Sequence, residues 1–161
     1  MISLVEKWRS LPRMAYVFGL ANFVSAIGAF VMPFLTFMLT NKLGMSTLEA
    51  AFYVNIVFFA HVPAQLLGGW LTDKFGRKPI YITAISAEIV LTASAGFFAH
   101  EFALIYFLFG IAFMNGIVTP VIHAWQSDYS TPQNRQMVFA TAYFGWNLGF
   151  AVGPAIAGLL F

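Results

Sequence analysis

Two ionisable side chains stand near the middle of long apolar stretches of this sequence, where an isolated charge is costly. Glu88 and His61 lie in neighbouring stretches at similar depth. A contact between them would satisfy both groups, and a carboxyl paired with an imidazole can carry a titratable proton. The alternatives are a structural buried pair or side chains at the edge of the lipid. We therefore take Glu88 and His61 as proton-coupling candidates.

Polar side chains also recur at helical spacing within the apolar stretches. One helical face carries Asn115, Thr119, His123 and Gln126, and a comparable stripe carries Asn22, Ser25, Pro33 and Thr36. Polar groups at membrane depth usually face protein or a water-filled cavity. The alternative for each side chain is a hydrogen bond that joins two helices. The substrate-cavity candidates are Asn22, Ser25, Asn115, Thr119, His123, Tyr143 and Asn147.

Membrane-spanning helices have to position these side chains. Hydrophobic residues make up 60% of the 161 residues and charged residues only 9%, whereas soluble domains carry about 25% charged residues. A helix needs about 20 apolar residues to cross a bilayer. Five stretches qualify, at 14–39, 49–72, 79–99, 102–125 and 137–161. We expect an all-α integral membrane protein with a single transmembrane helical domain that is incomplete as a bundle.

Basic residues predict the orientation of these spans. Seven of them fall before the first span or in the second and fourth loops: Lys7, Arg9, Arg13, Lys74, Arg77, Lys78 and Arg135. Only Lys42 falls on the other side. The positive-inside rule then places the N-terminus in the cytoplasm. The first apolar run is too long for a signal peptide, so we expect a retained span and a multi-pass protein of the plasma or inner membrane.

Composition and motifs exclude several classes of function. The formal net charge of +2 and the lack of a basic run with aromatics argue against nucleic acid. No cysteine is present, which removes thiolate metal sites. No metalloprotease, nucleophile-elbow or phosphate-loop motif occurs. We expect no enzyme activity, no cofactor and no metal, with membrane lipid as the surrounding partner.

The loop between the second and third spans carries the most specific motif. The stretch from Gly69 to Lys78 reads GWLTDKFGRK and resembles the signature cytoplasmic loop of the major facilitator superfamily, G-x-L-a-D-r-x-G-r-k. Gly69 would let another backbone come close, and Gly76 can take a positive φ to turn the chain. The resemblance implies that this loop is a gating latch, with Asp73 as its key residue and Arg77 and Lys78 at lipid headgroups. The alternative is an ordinary charged hairpin.

Two further motifs resemble antiporter-like members of the same family. The stretch from Asp128 to Arg135 is similar to the D-x-t-P-x-x-x-R loop after the fourth span, and it adds both residues to the gating loop. A helix-packing stripe in the fifth span comprises Gly145, Gly149, Gly153, Pro154 and Gly158. It resembles the antiporter signature that ends in G-P-x-x-G-G, and the alternative is a generic small-residue packing face. Where many proton-coupled members have an arginine in span four, this sequence has Ala112.

The resemblance implies a secondary transporter that works by alternating access. It implies the N-terminal six-helix half of the fold, of which the sequence shows about five helices. Proton-coupled export of small amphipathic compounds ranks first, and proton-linked uptake of a sugar, peptide or organic acid is the alternative. A third interpretation is an inactive fragment or accessory membrane protein. The expected partners are a small-molecule substrate, protons as the candidate coupling ion, and a missing C-terminal half or a second copy.

Overall fold

In the computed structural model of the protein, residues 8–29, 31–99 and 101–160 are described, and side-chain packing is described for all of these except 31–34 and 157–160. Six helices have their bounds in these ranges: α1 Arg13–Gly28, α2 Val31–Leu43, α3 Thr47–Phe75, α4 Arg77–Phe97, α5 Leu104–Asp128 and α6 Arg135–Leu160. No strand occurs in these ranges. The expected all-α fold is therefore confirmed. Lys7 and Phe161, which the topology prediction used, lie outside the described residues.

The first predicted span, 14–39, is covered by two helices instead of one. Helix α1 ends at Gly28, and Ala29 follows as its C-cap with an N–H that donates to the carbonyls of Ser25 and Ala26. Pro33 explains the break, because proline has no N–H to offer the carbonyl four residues earlier, which is that of Ala29. The sequence predicted one continuous span across Pro33. The helix instead ends one turn before the proline.

The three central helices have the length and the apolar composition that a membrane-spanning helix needs. Among the described residues, α3, α4 and α5 are long and apolar enough to cross a membrane. Their 29, 21 and 25 residues correspond to about 44, 32 and 38 Å of helix, against a hydrocarbon core of about 30 Å. Their bounds lie close to the predicted spans 49–72, 79–99 and 102–125. Membrane crossing by 14–39 and 137–161 stays a prediction.

Helix α3 begins and ends at defined signals. Ser46 is its N-cap and forms a capping box with Glu49, in which each side chain accepts a hydrogen bond from the other residue's backbone N–H. Gly44 precedes the cap with a φ of 67°. At the other end Gly76 is both the C-cap of α3 and the N-cap of α4, so a single residue separates the two helices. The α3–α4 connection is therefore a very tight turn.

Residue contacts divide the chain into two compact units. The terminal unit comprises Met1–Pro33 and Trp125–Phe161, and the central unit comprises Phe34–Ala124. Within the terminal unit α1 packs along α6. Its core is formed by Leu11, Ala15, Phe18, Val138 and Ala142. The contacts group α1 with α6 and keep most of α2, α3, α4 and α5 together. The single transmembrane domain expected from the sequence stays a prediction.

The central unit has two apolar clusters. One joins α2, α3, α4 and α5 through Leu35, Leu39, Ala50, Val57, Ala95, Leu104, Ile105, Leu108 and Ala112. The other joins α3, α4 and α5 through Ala64, Ala84, Ile117 and Val118. Many large apolar side chains point outward instead, such as Leu66 at 77% exposed and Phe97 at 87%. Outward apolar faces of this kind suit helices whose solvent is lipid.

Candidate functional site

A carboxylate and an amide meet midway along α4 and α5. Asn115 on α5 donates from Nδ2 to Oε1 of Glu88 on α4, with 3.5 Å between the two atoms. The second carboxylate oxygen, Oε2, is buried and has no hydrogen-bond partner among the described residues. A buried oxygen without a partner is costly unless it gains a proton, a water molecule or a ligand. Glu88 therefore has a buried carboxylate oxygen with unused hydrogen-bonding capacity.

His61 on α3 takes a different partner from the one expected. Its Nδ1 lies 3.3 Å from the carbonyl oxygen of Ala112 on α5. Because a carbonyl oxygen only accepts, this contact needs the tautomer with hydrogen on Nδ1. No described hydrogen bond joins His61 to Glu88, so the structure does not form the pair that the sequence suggested. Helix α5 instead engages both side chains, one through its backbone and one through Asn115.

Two glycines allow α3 and α5 to come together at this point. A Cβ at Gly116 would lie 2.6 Å from the Cβ of Ala64 and 2.7 Å from the carbonyl oxygen of His61. A Cβ at Gly68 would lie 2.6 Å from the carbonyl oxygen of Ile117. Backbones approach this closely only where no side chain intervenes. This contact brings the Ala112 carbonyl within reach of the His61 ring.

The polar face of α5 leads from Glu88 to the protein surface. Asn115 and His123 are exposed, and Thr119 is half-buried one turn after Asn115. The Thr119 hydroxyl donates to the backbone carbonyl of Asn115 at 3.0 Å. The Thr119 hydroxyl therefore has its acceptor within α5, while the Asn115 side chain reaches across to Glu88 on α4. Three of the seven cavity candidates lie on this one face of the central unit.

The other four cavity candidates lie in the terminal unit. Asn22 is half-buried and donates to the carbonyl of Phe18 at 2.9 Å, while Ser25 is exposed. On α6, Tyr143 is 71% exposed, and exposed Asn147 donates to its carbonyl at 2.7 Å. The side-chain amides of Asn22 and Asn147 each donate to a carbonyl one turn earlier in the same helix, so these two hydrogen bonds do not join α1 to α6. Their role in a cavity stays a prediction.

The glycine stripe of α6 faces α1 directly. Gly145 contacts the backbone of Gly19, and Gly149 contacts the backbone of Phe23 and the side chain of Ala26. Gly153 is also buried, and α6 runs on through Pro154. Gly158 lies in α6, where side-chain packing is outside the described residues. The stripe provides a helix–helix contact within the terminal unit.

The loop motif forms the turn between α3 and α4. Gly76 has φ 83° and ψ 163°, a conformation that favours glycine, and its N–H donates to the carbonyl of Thr72 at 2.9 Å. The close approach expected at Gly69 occurs at its neighbour Gly68. No described atom comes within 4 Å of a Cβ placed at Gly69. A helix turns by about 100° per residue, so only one of two adjacent glycines can face α5 squarely.

Charged residues of the same motif are arranged around the turn. Lys74 places Nζ 4.8 Å from the ring centroid of Trp70 and 5.3 Å from that of Phe75. An ammonium over aromatic rings at a helix end is a typical interfacial anchor. Asp73 is exposed and makes no described hydrogen bond, so its role as a latch stays a prediction. Arg77 begins α4 and Lys78 follows it on the surface.

The second loop, between α5 and α6, is held by local hydrogen bonds. Arg135 donates from Nε to the hydroxyl of Ser130 at 3.3 Å. The Asn134 side-chain oxygen accepts from the N–H of Thr131 at 2.7 Å. Asp128 is the last residue of α5 and is exposed. The motif therefore shapes a compact turn between two long helices.

Comparison with known proteins decides the family. The model of the Major Facilitator Superfamily matches residues 17–161, which is most of the chain and includes both loops and the polar face of α5. This chain belongs to the major facilitator superfamily. It corresponds to the N-terminal portion of such a transporter, and members of the superfamily are transporters and not enzymes.

Curated relatives within the superfamily have several kinds of names. An MFS-type transporter of Bacillus subtilis, YttB, is 28% identical over 93% of this chain and 38% of its own length. The niacin transporter NiaP of Acinetobacter baylyi is 24% identical over 97% of this chain and 37% of its own length. A Na(+), Li(+), K(+)/H(+) antiporter of Planococcus maritimus is 28% identical over 81% of this chain and 32% of its own length. This chain therefore spans 32% to 38% of the length of these relatives. No solved structure matches it significantly.

Sequence reasoning missed the partner of Glu88. It placed Asn115 on the cavity face and paired Glu88 with His61. The depth of the two residues in the membrane was a signal that could have found this pair. Glu88 lies about as far from the first residue of α4, Arg77, as Asn115 lies from the last residue of α5, Asp128. Side chains at equal depth on antiparallel neighbours can meet. No group of three metal-binding side chains occurs among the described residues.

Proposed function

We propose that this chain is part of a secondary transporter that exports small amphipathic compounds in exchange for protons. One observation carries the proposal: Glu88, an acidic residue midway along an apolar helix, bonds to Asn115 on the polar face of α5. Carboxylates inside membrane helices usually mark ion or proton pathways. The family membership supports transport, and the name of the antiporter relative supports exchange with protons.

The substrate class follows from the exposed polar face. Asn115, Thr119 and His123 offer a few hydrogen-bonding groups beside long apolar surfaces. A binding site of this kind suits a compound with one polar end and a large apolar body. In the terminal unit, exposed Tyr143 and Asn147 offer the same combination. The proposed substrate is thus an amphipathic molecule of modest size.

Proton-linked uptake of a small organic acid, sugar or peptide is the second candidate. The relative named as a niacin transporter favours it. The two candidates predict opposite directions of substrate movement under one proton gradient. A vesicle assay with a defined gradient therefore separates them.

The complete transporter is proposed to contain more helices than this chain provides. The superfamily pairs two halves around a central site, and this chain spans at most 38% of the relatives described above. The second half is either a C-terminal half or a second copy of this chain. We place the assembly in the plasma or inner membrane as a multi-pass protein.

Ethidium transport tests the proposed function. Inverted membrane vesicles that carry the chain, alone or co-expressed with a C-terminal half, are energised with a proton gradient, and ethidium fluorescence is followed. Accumulation that stops when the gradient is collapsed supports proton-coupled export. Activity of the chain alone, with a dimeric mass in detergent, identifies the partner as a second copy. If neither preparation moves ethidium or a panel of niacin-like acids, the proposal is wrong.

A further inference from the structure

The imidazole of His61 uses one of its two nitrogens to hold helix α5. Its Nδ1 donates to the backbone carbonyl of Ala112, 3.3 Å away. Because this bond keeps the hydrogen of the neutral ring on Nδ1, Nε2 carries a lone pair and accepts hydrogen bonds. No described residue donates to Nε2. The structure therefore presents an imidazole acceptor with a fixed tautomer on α3.

Nε2 of His61 is also within reach of molecules outside the protein. The described part of the chain has buried side-chain atoms that lack a hydrogen-bond partner, such as Oε2 of Glu88, and Nε2 is not among them. Since no described group bonds to Nε2, it follows that part of its surface is accessible. The ring as a whole is half-buried. The backbone of His61 packs against Gly116, the residue after Asn115.

Gln65 places a second polar group one turn further along α3. Its side chain is exposed, and no described residue bonds to its amide. Side chains four residues apart on a helix have Cβ atoms about 5–6 Å apart. One small molecule can therefore contact Nε2 of His61 and the amide of Gln65 together.

An apolar surface surrounds these two polar groups. Phe58 is 50% exposed and Val62 is 55% exposed, and each lies three residues before one of the polar side chains. Beyond Gln65, no described atom comes within 4 Å of a Cβ placed at Gly69. The outer face of α3 thus combines an aromatic ring, a small polar centre and open space. Ligand sites for amphipathic compounds use this combination.

Lipid cannot supply the donor that Nε2 needs. Helix α3 is long and apolar enough to cross a membrane, and His61 lies at its middle. Polar groups at this depth face protein or a water-filled cavity. Asn55 on the same helix solves the problem locally, because its exposed amide donates to the Ala51 carbonyl at 2.7 Å. An acceptor cannot bond to a backbone carbonyl, so Nε2 needs a donor from outside α3.

We propose that Nε2 of His61 accepts a hydrogen bond from an N–H group of the transported substrate, with the Gln65 amide as a second contact. This site rests on the proposed function and narrows its substrate class to aromatic amphipathic compounds that carry an N–H donor. Their apolar body lies on Phe58 and Val62. A compound without a donor leaves a desolvated acceptor unpaired, so it binds less well. Substrate contact thereby extends from α5 to α3.

Two amphipathic cations separate this hydrogen bond from general apolar binding. Ethidium carries aromatic amino groups, whereas tetraphenylphosphonium has aromatic rings and a positive charge but no N–H or O–H. Binding of each compound is measured in detergent, with the chain alone and co-expressed with a C-terminal half, at one mildly alkaline pH where imidazole is neutral. His61→Phe keeps a ring and removes the acceptor. Its ethidium affinity should fall at least about threefold, while its tetraphenylphosphonium affinity should not fall.

Three further variants complete the binding experiment. Gln65→Leu should also lower ethidium affinity and spare tetraphenylphosphonium. Asn55→Leu on α3 and Thr92→Val on α4, one turn along from Glu88, are the controls. Each control replaces an exposed polar side chain outside the site by an apolar one. Both should bind ethidium as the wild type does. If His61→Phe does not fold, Gln65→Leu and the spectroscopic measurement below decide.

Nitrogen NMR of labelled histidine observes the acceptor without a variant at His61. The chain has three histidines, and His100→Gln and His123→Gln assign the other two by loss of their signals. His61 should show the tautomer with hydrogen on Nδ1. Its Nε2 signal should move when ethidium is added and should not move with tetraphenylphosphonium.

Several results overturn the site. They are hydrogen on Nε2 in the folded protein, an Nε2 signal that ethidium does not move, equal losses of affinity for both cations in His61→Phe, and failure of every preparation to bind ethidium. An Nε2 signal that responds to the C-terminal half or a second copy, and not to ethidium, means that a partner helix covers His61 and also overturns it. Ethidium bound through Nε2 by protein that does not export it supports the site and contradicts the proposed function.

Discussion

Gly145 on α6 lies so close to Gly19 on α1 that a Cβ on Gly145 would overlap the Gly19 carbonyl oxygen. The obstacle is backbone and not a flexible side chain, so a rotamer change cannot relieve it. Gly149 repeats the contact one turn later against Phe23 and Ala26, with 2.8 Å from a Cβ there to the Cβ of Ala26. The glycine stripe therefore sets the separation of α1 and α6 in the terminal unit.

Gly145→Ala is expected to destabilise the protein by at least the cost of a typical overpacked site, about 1–3 kcal/mol. The added methyl group has to push α6 away from α1 along their contact. The thermal unfolding midpoint in detergent, followed by tryptophan fluorescence, should fall. Gly28→Ala is the matched control, because no described atom lies within 4 Å of its Cβ. Equal midpoints for the two variants would contradict this account of the stripe.

Gly116→Ala is expected to weaken the contact of α5 with α3 by about 1–3 kcal/mol. Its Cβ would meet the backbone of His61 and the Cβ of Ala64, neither of which can rotate away. Gly110→Ala on the same helix meets only the end of the Leu91 side chain and should be tolerated. Unfolding midpoints of the two variants give the comparison. Greater damage from Gly110→Ala would show that α5 packs differently.

Gly76→Ala is expected to cost about 1–3 kcal/mol through backbone strain alone. The φ of 83° at this position is unfavourable for alanine although the space around it is open. Gly69→Ala, in the same motif but inside α3, should be neutral or stabilising by up to about 1 kcal/mol. The difference between their thermal midpoints measures the strain. If Gly76→Ala is as stable as Gly69→Ala, the turn does not require glycine.

Helix positions could be predicted from the sequence, but helix partners could not. Apolar run lengths placed α3, α4 and α5 within a few residues, because a bilayer sets the length of a span. The spacing of Gly145 and Gly149 indicated a packing face, yet it could not show that α1 would lie on it. Periodicity shows which residues share a face and not which helix that face meets.

The same limit explains the errors around the candidate site. Glu88 and His61 were joined because they lie in neighbouring spans, whereas α5 supplies the partner of each. Gly69 was expected to make the close approach that Gly68 makes, since a motif does not indicate the rotation of its helix. The end of α1 before Pro33 could have been predicted from the sequence. A proline leaves the carbonyl four residues earlier without its helical bond, and that carbonyl belongs to Ala29, the C-cap of α1.

The most direct test of the central claim is proton-driven ethidium transport in the presence of Glu88→Gln. The carboxamide keeps the size of the side chain and a hydrogen bond to Asn115, but it cannot exchange a proton at physiological pH. In inverted vesicles of the assembly that transports ethidium, the wild type and Thr92→Val should respond to an imposed proton gradient. Glu88→Gln should insert equally well and lose that response. Undiminished gradient-driven transport by Glu88→Gln would contradict the account.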